Sequence, residues 1–456
     1  MTRPLSVDRF PAFCGLLVGG STLLQVPLRV MLRRLDTIAR RNGWKSIVRD
    51  PVRPARFLAA FVAAWFSFQL LSGNVATQDK EEDVVSRTEV TVKDAEGLEG
   101  SQAIRPGQAP SKGRVDLAGK TLDLTLFAVI RAIDTLVGEL WSRHRSYRVA
   151  KNRWSRIESC VSHLTDASIF AVSAGAVMWA WIYLPGRLPR AYTRWIADAA
   201  QVDPRLVETL RRVRRGQFVY GKNTGQAPLL QSMCRDHGWP LDWGDPAKTV
   251  PIPCEIVHMG VGPSCEKHAI VRFGRAFRFA FAMYFPLQLL LRMRSPSIKA
   301  FRQALRDAVR SSTFLGMFIS IFYYSICLSR SRLGPKLISY DKITPMMWDQ
   351  GLCINVACAM CGWSILLEAP QRRQEVALFV APRALATILP RRYEVKVRLP
   401  ESLGGLIQCL NASQYRWRED LAFAISTAVV FTCAQENPQR LRGVFGKLLN
   451  RVLNGS

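Results

Sequence analysis

The run STFLGMFISIFYYSICLS at 312–329 contains no charged residue and approaches the ~20 apolar residues that cross a hydrocarbon core. Comparable runs recur along the chain. Inside lipid each must satisfy its own backbone polar groups, which leaves the helix as the local structure open to it. Candidate membrane segments fall at Phe10–Met31, Ala55–Ser72, Leu122–Leu140, Ala167–Leu184, Thr313–Ser329, Gly351–Leu367, Val376–Leu389 and Leu421–Ala434, with a weaker ninth at Ala276–Leu291. The first, second, fourth, fifth and sixth are the strongest, because the others are short or carry charge. The expected fold class is all-α: a polytopic integral membrane protein of about eight membrane helices.

The two halves of the chain also repeat one another. Phe13, Gly15 and Arg29 match Phe314, Gly316 and Arg330, each 301 positions on. Phe170, Ala171, Ser173, Pro185, Arg187 and Leu188 match Phe423, Ala424, Ser426, Pro438, Arg440 and Leu441, each 253 positions on. Leu126, Phe127, Arg131, Ala132 and Thr135 match Leu378, Phe379, Arg383, Ala384 and Thr387 in the same way. The offset falls across Gly73–Gly119, which carries DKEEDVV and no sustained apolar period, and which therefore reads as a flexible polar insert. Two four-helix repeats, residues 8–195 and 306–446, are expected to be joined by a linker. Residues 1–72 supply the first two membrane segments, 73–119 the insert, and 120–195 the last two segments of repeat one. Residues 196–305 form the linker with a Cys/His box and an amphipathic segment, 306–446 the second repeat, and 447–456 a tail.

A formal net charge of +28 asks for polyanionic partners, and the placement of the charge chooses among them. Lys and Arg cluster beside the apolar segments, in RVMLRRLDTIARRNGWKSIVR, LRRVRRGQF and RMRSPSIKAFRQALRDAVR. In such places each attracts anionic lipid by about 1 kcal/mol. The expected partners are anionic membrane lipids. No phosphate loop, dinucleotide fingerprint or nucleic-acid motif is present, so no nucleic-acid partner is expected. Basic loops fall on both implied sides, which assigns no orientation. The Arg-rich first 49 residues also fit a mitochondrial presequence. Eleven cysteines are scattered rather than arrayed as a disulfide framework, a pattern that suits a reducing compartment.

Three of the five histidines stand beside cysteines, in CRDH at 234–237, CEIVH at 254–258 and CEKH at 265–268. Thiolate and imidazole are preferred zinc ligands, and a structural site takes four of them in a tetrahedron. Cys254, His258, Cys265 and His268 are the expected set, with Cys234 and His237 as further candidates. The other reading is a Cys/His-rich juxtamembrane loop that holds no metal or is closed by a disulfide. No nucleophile, base and orienting group stand together, so neither catalytic residues nor an enzyme is expected. Arg131 and Arg383 occupy equivalent places inside apolar segments. A charge at a helix centre costs about 2.5–3.5 kcal/mol, so each faces a bundle interior or snorkels to the headgroups from a tilted segment. Small residues at spacing four let helices approach closely in lipid, which singles out Gly15, Gly19, Gly175 and Gly316 for helix packing.

The order CEIVHMGVGPSC, an amphipathic segment ending LQLLLRM, SSTFLGMFISIFYYSICLSR, GLCINVACAMCGWSILLE, EVALFVAPRAL and DLAFAISTAVVF resembles the transmembrane protein 135 family, best over 250–445. The first of these pieces is the most specific, with Glu255 and Ile256 directly after the cysteine. The chain is also distantly similar to the mitochondrial inner-membrane import channel family. The resemblance implies a polytopic protein of the peroxisomal or mitochondrial membrane that supports lipid metabolism or transports a lipid-related or small solute. Its alternative is a scaffold that regulates organelle shape through protein partners on the linker. It implies no catalytic residues.

Overall fold

The computed structural model describes residues 9–42, 50–72, 115–116, 121–292, 297–338, 342–389, 392–393, 401–438, 441 and 443–454. The Gly73–Gly119 insert lies outside these residues except for 115–116. In chain order the longer helices are α1 (Arg9–Leu23), α2 (Gln25–Arg41), α3 (Val52–Ser72), α4 (Leu122–Ala150), α5 (Arg156–Tyr183), α6 (Arg190–Ala200), α7 (Pro204–Arg214), α8 (Ala227–His237), α9 (Cys265–Arg292), α10 (Ile298–Cys327), α11 (Cys353–Cys361), α12 (Pro370–Ile388), α13 (Glu401–Glu436) and α14 (Gly443–Asn454). The described strands, β1 (Val115–Asp116) and β2 (Arg392–Tyr393), form one short antiparallel ladder with Val115 opposite Tyr393. The protein is all-helical in its architecture.

Local chemistry sets the helix ends. Ser155 opens α5 with a capping box, its hydroxyl accepting from the Glu158 N–H while the Glu158 carboxylate accepts from the Ser155 N–H, so two orphan donors are satisfied reciprocally. Asp203 caps α7 ahead of Pro204, which lacks the N–H that would otherwise go unpaired. Gly238 ends α8 at φ +69°, the left-handed stop that glycine adopts without steric cost.

Among the described residues five helical stretches are long and apolar enough to cross a membrane: Phe10–Ile38, Val52–Leu71, Arg156–Tyr183, Ile298–Arg332 and Pro345–Leu367. They coincide with the five segments that are strongest in the sequence. The remaining three expected segments are helical as α4, α12 and α13 but stand outside this group. Charge explains the difference, for α4 carries Asp123, Arg131, Asp134 and Glu139, and α12 carries Arg372, Arg373, Glu375 and Arg383. Large apolar side chains face outward, among them Leu23, Val172, Ile157 and Leu140, a surface that a lipid environment suits and water does not.

The chain forms two compact units, one from residues 1–154 with 389–456 and the other from 155–388. This division differs from the expected one at 8–195 and 306–446: α5 packs with the later helices, and α13 with the earlier ones. In the first unit α3 packs on α1 and α13, and α4 packs on α13. Phe423 of α13 lies 4.4 Å from Phe68 and 6.1 Å from Phe13, ring centre to ring centre. Glu419 is buried there and accepts from Thr121 Oγ1 at 2.8 Å and Thr125 Oγ1 at 3.3 Å. In the second unit α11 packs on α10 and α5, and α12 packs on α5. Phe170 of α5 meets Phe314 and Phe318 of α10 edge to face. Residues 196–292, expected as a linker, are helices of this second unit; Leu206, Val213, Phe218, Leu230, Met233, Cys234, Ile252 and Ile256 form a small core of their own.

The four glycines singled out for packing divide in two. A Cβ at Gly175 would meet the Cys358 carbonyl oxygen at 2.7 Å, and one at Gly316 would meet the Phe273 ring at 2.9 Å. Among the described residues Gly15 and Gly19 have nothing within 4 Å; on that helix the close neighbour belongs to Gly20, against Ala63. The close approach of α1 to α3 is made at Gly20, next to Gly19.

Candidate functional site

Two features of the second unit carry chemistry, a Cys/His centre and an apolar cavity. The centre begins with one helical turn, Cys254–Val257, whose last N–H bond runs from His258 to the Cys254 carbonyl at 2.7 Å. Met259, Gly260 and Gly262 then take φ of 52°, 82° and 109°. A side chain at Gly260 would also press on the His237 ring at 3.2 Å, so glycine is needed twice over. The reversal returns the chain to Cys265 at the start of α9. As a result Cys254, His258 and Cys265 present ligand atoms within 4.8 Å of one another, close enough to bind a metal ion.

His258 is fully buried, and its Nδ1 lies 2.7 Å from the Gly262 carbonyl oxygen. A carbonyl can only accept, so Nδ1 donates to it, and in the neutral tautomer Nε2 is the nitrogen that presents a lone pair. That nitrogen lies 3.3 Å from the Cys327 Sγ at the end of α10. Burial pushes the Cys254 thiol above the ordinary thiol range, with Arg330 and a Ser331 hydrogen bond acting the other way.

The other expected ligands, His268, Cys234 and His237, do not join this group. The His268 ring stacks on His258 at 4.5 Å with 18° between planes and meets Tyr323 edge-on. It is buried, and burial together with the nearby Arg272 and His258 pushes its pKa down to about 3, so it is neutral at physiological pH. Cys234 sits in the small core, its thiol pushed up by burial, while His237 stacks on Trp239.

Four polar side chains outside the Cys/His motif support this centre. Arg330 Nε donates to Asp349 Oδ1 at 2.6 Å and Arg330 Nη2 to Oδ2 at 2.9 Å, and Nη2 also donates to the Ile252 carbonyl at 2.7 Å. The Tyr220 hydroxyl donates to the same carboxylate. Burial first, and then the Asp349 charge, push the Tyr220 pKa up and keep that proton in place. Arg272, 2% exposed, donates to the carbonyls of Ala200 and Gln201 at 3.2 and 2.8 Å. It meets the carbonyl end of α6, where a cation is favoured.

The cavity, about 360 Å³ in volume, is walled by α5, α6, α9, α10 and α12. Phe170, Ala174, Ile196, Phe314, Phe318 and Val380 are among its lining residues, and its polar edges are Tyr192, Trp195 and Tyr284. Its size falls inside the ~300–1,000 Å³ range of ligand sites. The Arg383 guanidinium lies 3.8 Å from the centre of the Phe379 ring and 5.3 Å from that of Tyr192, two of the lining rings, and donates to the Phe379 carbonyl at 2.8 Å. Arg131, in the first unit, is buried with its guanidinium 5.2 Å from both Phe127 and Phe445. Arg131 and Arg383 therefore each rest on aromatic faces, a favourable cation–π contact.

Residues 251–391 match the family model described as the N-terminal cysteine-rich region of Transmembrane protein 135. The match runs from the Cys/His centre through α12, so this stretch is similar to that region. No curated protein matches the chain. No solved structure matches it either.

Proposed function

We propose that this chain is a duplicated membrane bundle whose second unit binds an acyl-chain or sterol-like molecule, in support of lipid handling at a peroxisomal or mitochondrial membrane. The observation that carries the reading is the apolar cavity of about 360 Å³ between α5, α6, α9, α10 and α12. Arg383 on two of its rings favours an amphiphile with an anionic head, since a guanidinium pairs strongly with carboxylate or phosphate. Duplication is supported by pairs that repeat with their partners exchanged. Phe170 packs on Phe314, and their sequence equivalents Phe423 and Phe13 pack on each other. On this reading about eight helices are shared as two sets of four, each set taking its last helix from the opposite half of the chain. Zinc is the metal proposed for Cys254, His258 and Cys265, because thiolate and imidazole ligands suit it.

The test uses the full chain in detergent with a fluorescent fatty acid as probe. The wild type should bind it saturably, and Ala174→Trp, which fills the cavity, should abolish binding. Arg383→Gln should weaken the fatty acid about tenfold, the loss of one charge-assisted contact, and leave a neutral sterol probe unchanged. Equal binding by all three proteins would remove the cavity as the site. A scaffold role would then be the better account of the fold.

A further inference from the structure

We propose that Cys327 is the fourth zinc ligand, so that the metal fastens the 254–265 loop onto the end of the membrane helix α10. This rests on the zinc reading of the centre and adds the residue that closes it.

Three facing ligands leave a tetrahedral ion one position short, and a structural site is closed by a fourth protein ligand. Two side chains approach that position. Cys327 Sγ lies 3.3 Å from His258 Nε2, so it faces the imidazole of the three-ligand group from the end of α10. His268 lies near but is turned wrongly. Its ring is stacked at 18° on His258, and lone pairs in nearly parallel ring planes run side by side instead of converging on one ion. The Gly262 bond holds Nδ1, so Nε2, the nitrogen aimed at Cys327, is the one free to bind a metal, the usual way a protein orients an imidazole for metal. On binding, the thiols of Cys254, Cys265 and Cys327 each lose a proton to solvent, and one Zn²⁺ takes three thiolates and one neutral imidazole.

The ligands come from two separated parts of the chain, and this gives the clamp its consequence. The loop also carries Met259, whose Sδ contacts Arg272 Nη2 at 3.2 Å, and Arg272 holds the end of α6. Helix α6 in turn supplies Tyr192, Trp195, Ile196 and Ala199 to the cavity wall. Zinc at this centre would therefore hold one wall of the cavity in place.

The experiment measures metal content and sulfur coordination of the full chain, purified in detergent with zinc alone supplied. The wild type should hold about one zinc per chain. Its X-ray absorption should give three sulfurs at about 2.3 Å and one nitrogen at about 2.0–2.1 Å. Cys327→Ser should bind zinc at least tenfold more weakly, and His268→Gln and Cys234→Ser should match the wild type. No zinc in the wild type removes the zinc reading as a whole. Zinc in the wild type with two sulfurs and two nitrogens, or full zinc in Cys327→Ser, keeps that reading and overturns Cys327. The sulfur count is read on the wild type, so it decides even where Cys327→Ser does not fold. A Cys265–Cys327 disulfide found in its place by mass spectrometry of the alkylated wild type would overturn both.

Discussion

Asp349→Asn is expected to lower the stability of the second unit by about 3–5 kcal/mol, the cost of leaving one member of a buried ion pair without its partner. Arg330 and Asp349 have side chains only 6% and 3% exposed, joined at 2.6 Å. The same carboxylate takes the Tyr220 proton, and the same guanidinium holds the Ile252 carbonyl. One substitution therefore strands a cation and loosens the two segments that seat the Cys/His centre. At roughly 2–4 °C per kcal/mol for a unit of this size, the unfolding midpoint in detergent should fall by about 10 °C. The paired change Arg330→Met with Asp349→Leu should recover much of the loss, since an apolar pair avoids the desolvation cost. A midpoint for Asp349→Asn within experimental error of the wild type would show that the pair is solvated in the membrane and does not hold the unit together.

Gly362→Leu should be more severe and prevent the second unit from assembling. A Cβ at Gly362 would lie 2.4 Å from the Ala171 Cα and 3.0 Å from its oxygen, and on the same pair of elements a Cβ at Gly175 would lie 2.7 Å from the Cys358 oxygen. These neighbours are backbone, which cannot rotate aside as a side chain can. The helices must separate, and in lipid that sacrifices the close packing which holds them. A loss beyond about 4–5 kcal/mol is expected, seen as aggregated or degraded protein by size exclusion. Gly15→Leu and Gly19→Leu, placed where nothing lies within 4 Å, are the controls and should elute as the wild type does. Monodisperse Gly362→Leu would mean that α5 and the 353–367 segment do not cross so closely.

Much of this architecture was legible in the residues. The five stretches able to cross a membrane stand out because few charges interrupt them, and the Cys/His centre announces itself by three histidines beside three cysteines. Other features depend on tertiary placement and leave no local trace. The matching residues around Phe170 and Phe423 do not say which of the other helices each will meet; Phe170 meets Phe314 of α10, and Phe423 meets Phe13 of α1. Spacing alone favoured His268 over Cys327, because CEKH is compact while Cys327 lies within an apolar run like several other cysteines. Only the turn at Met259–Gly262 and the path of α10 bring that thiol to His258. Arg330 showed its equivalence to Arg29 in the sequence, yet its partner Asp349 follows a reversal of chain and could not be paired with it by periodicity.

The lipid-binding reading is tested most directly by native mass spectrometry of the full chain released from mild detergent. The account predicts a species carrying one bound amphiphile on the wild type, identifiable by fragmentation as an acyl lipid or sterol, and its absence from Ala174→Trp. A wild type that carries no bound mass, or an Ala174→Trp that carries the same one, would contradict it.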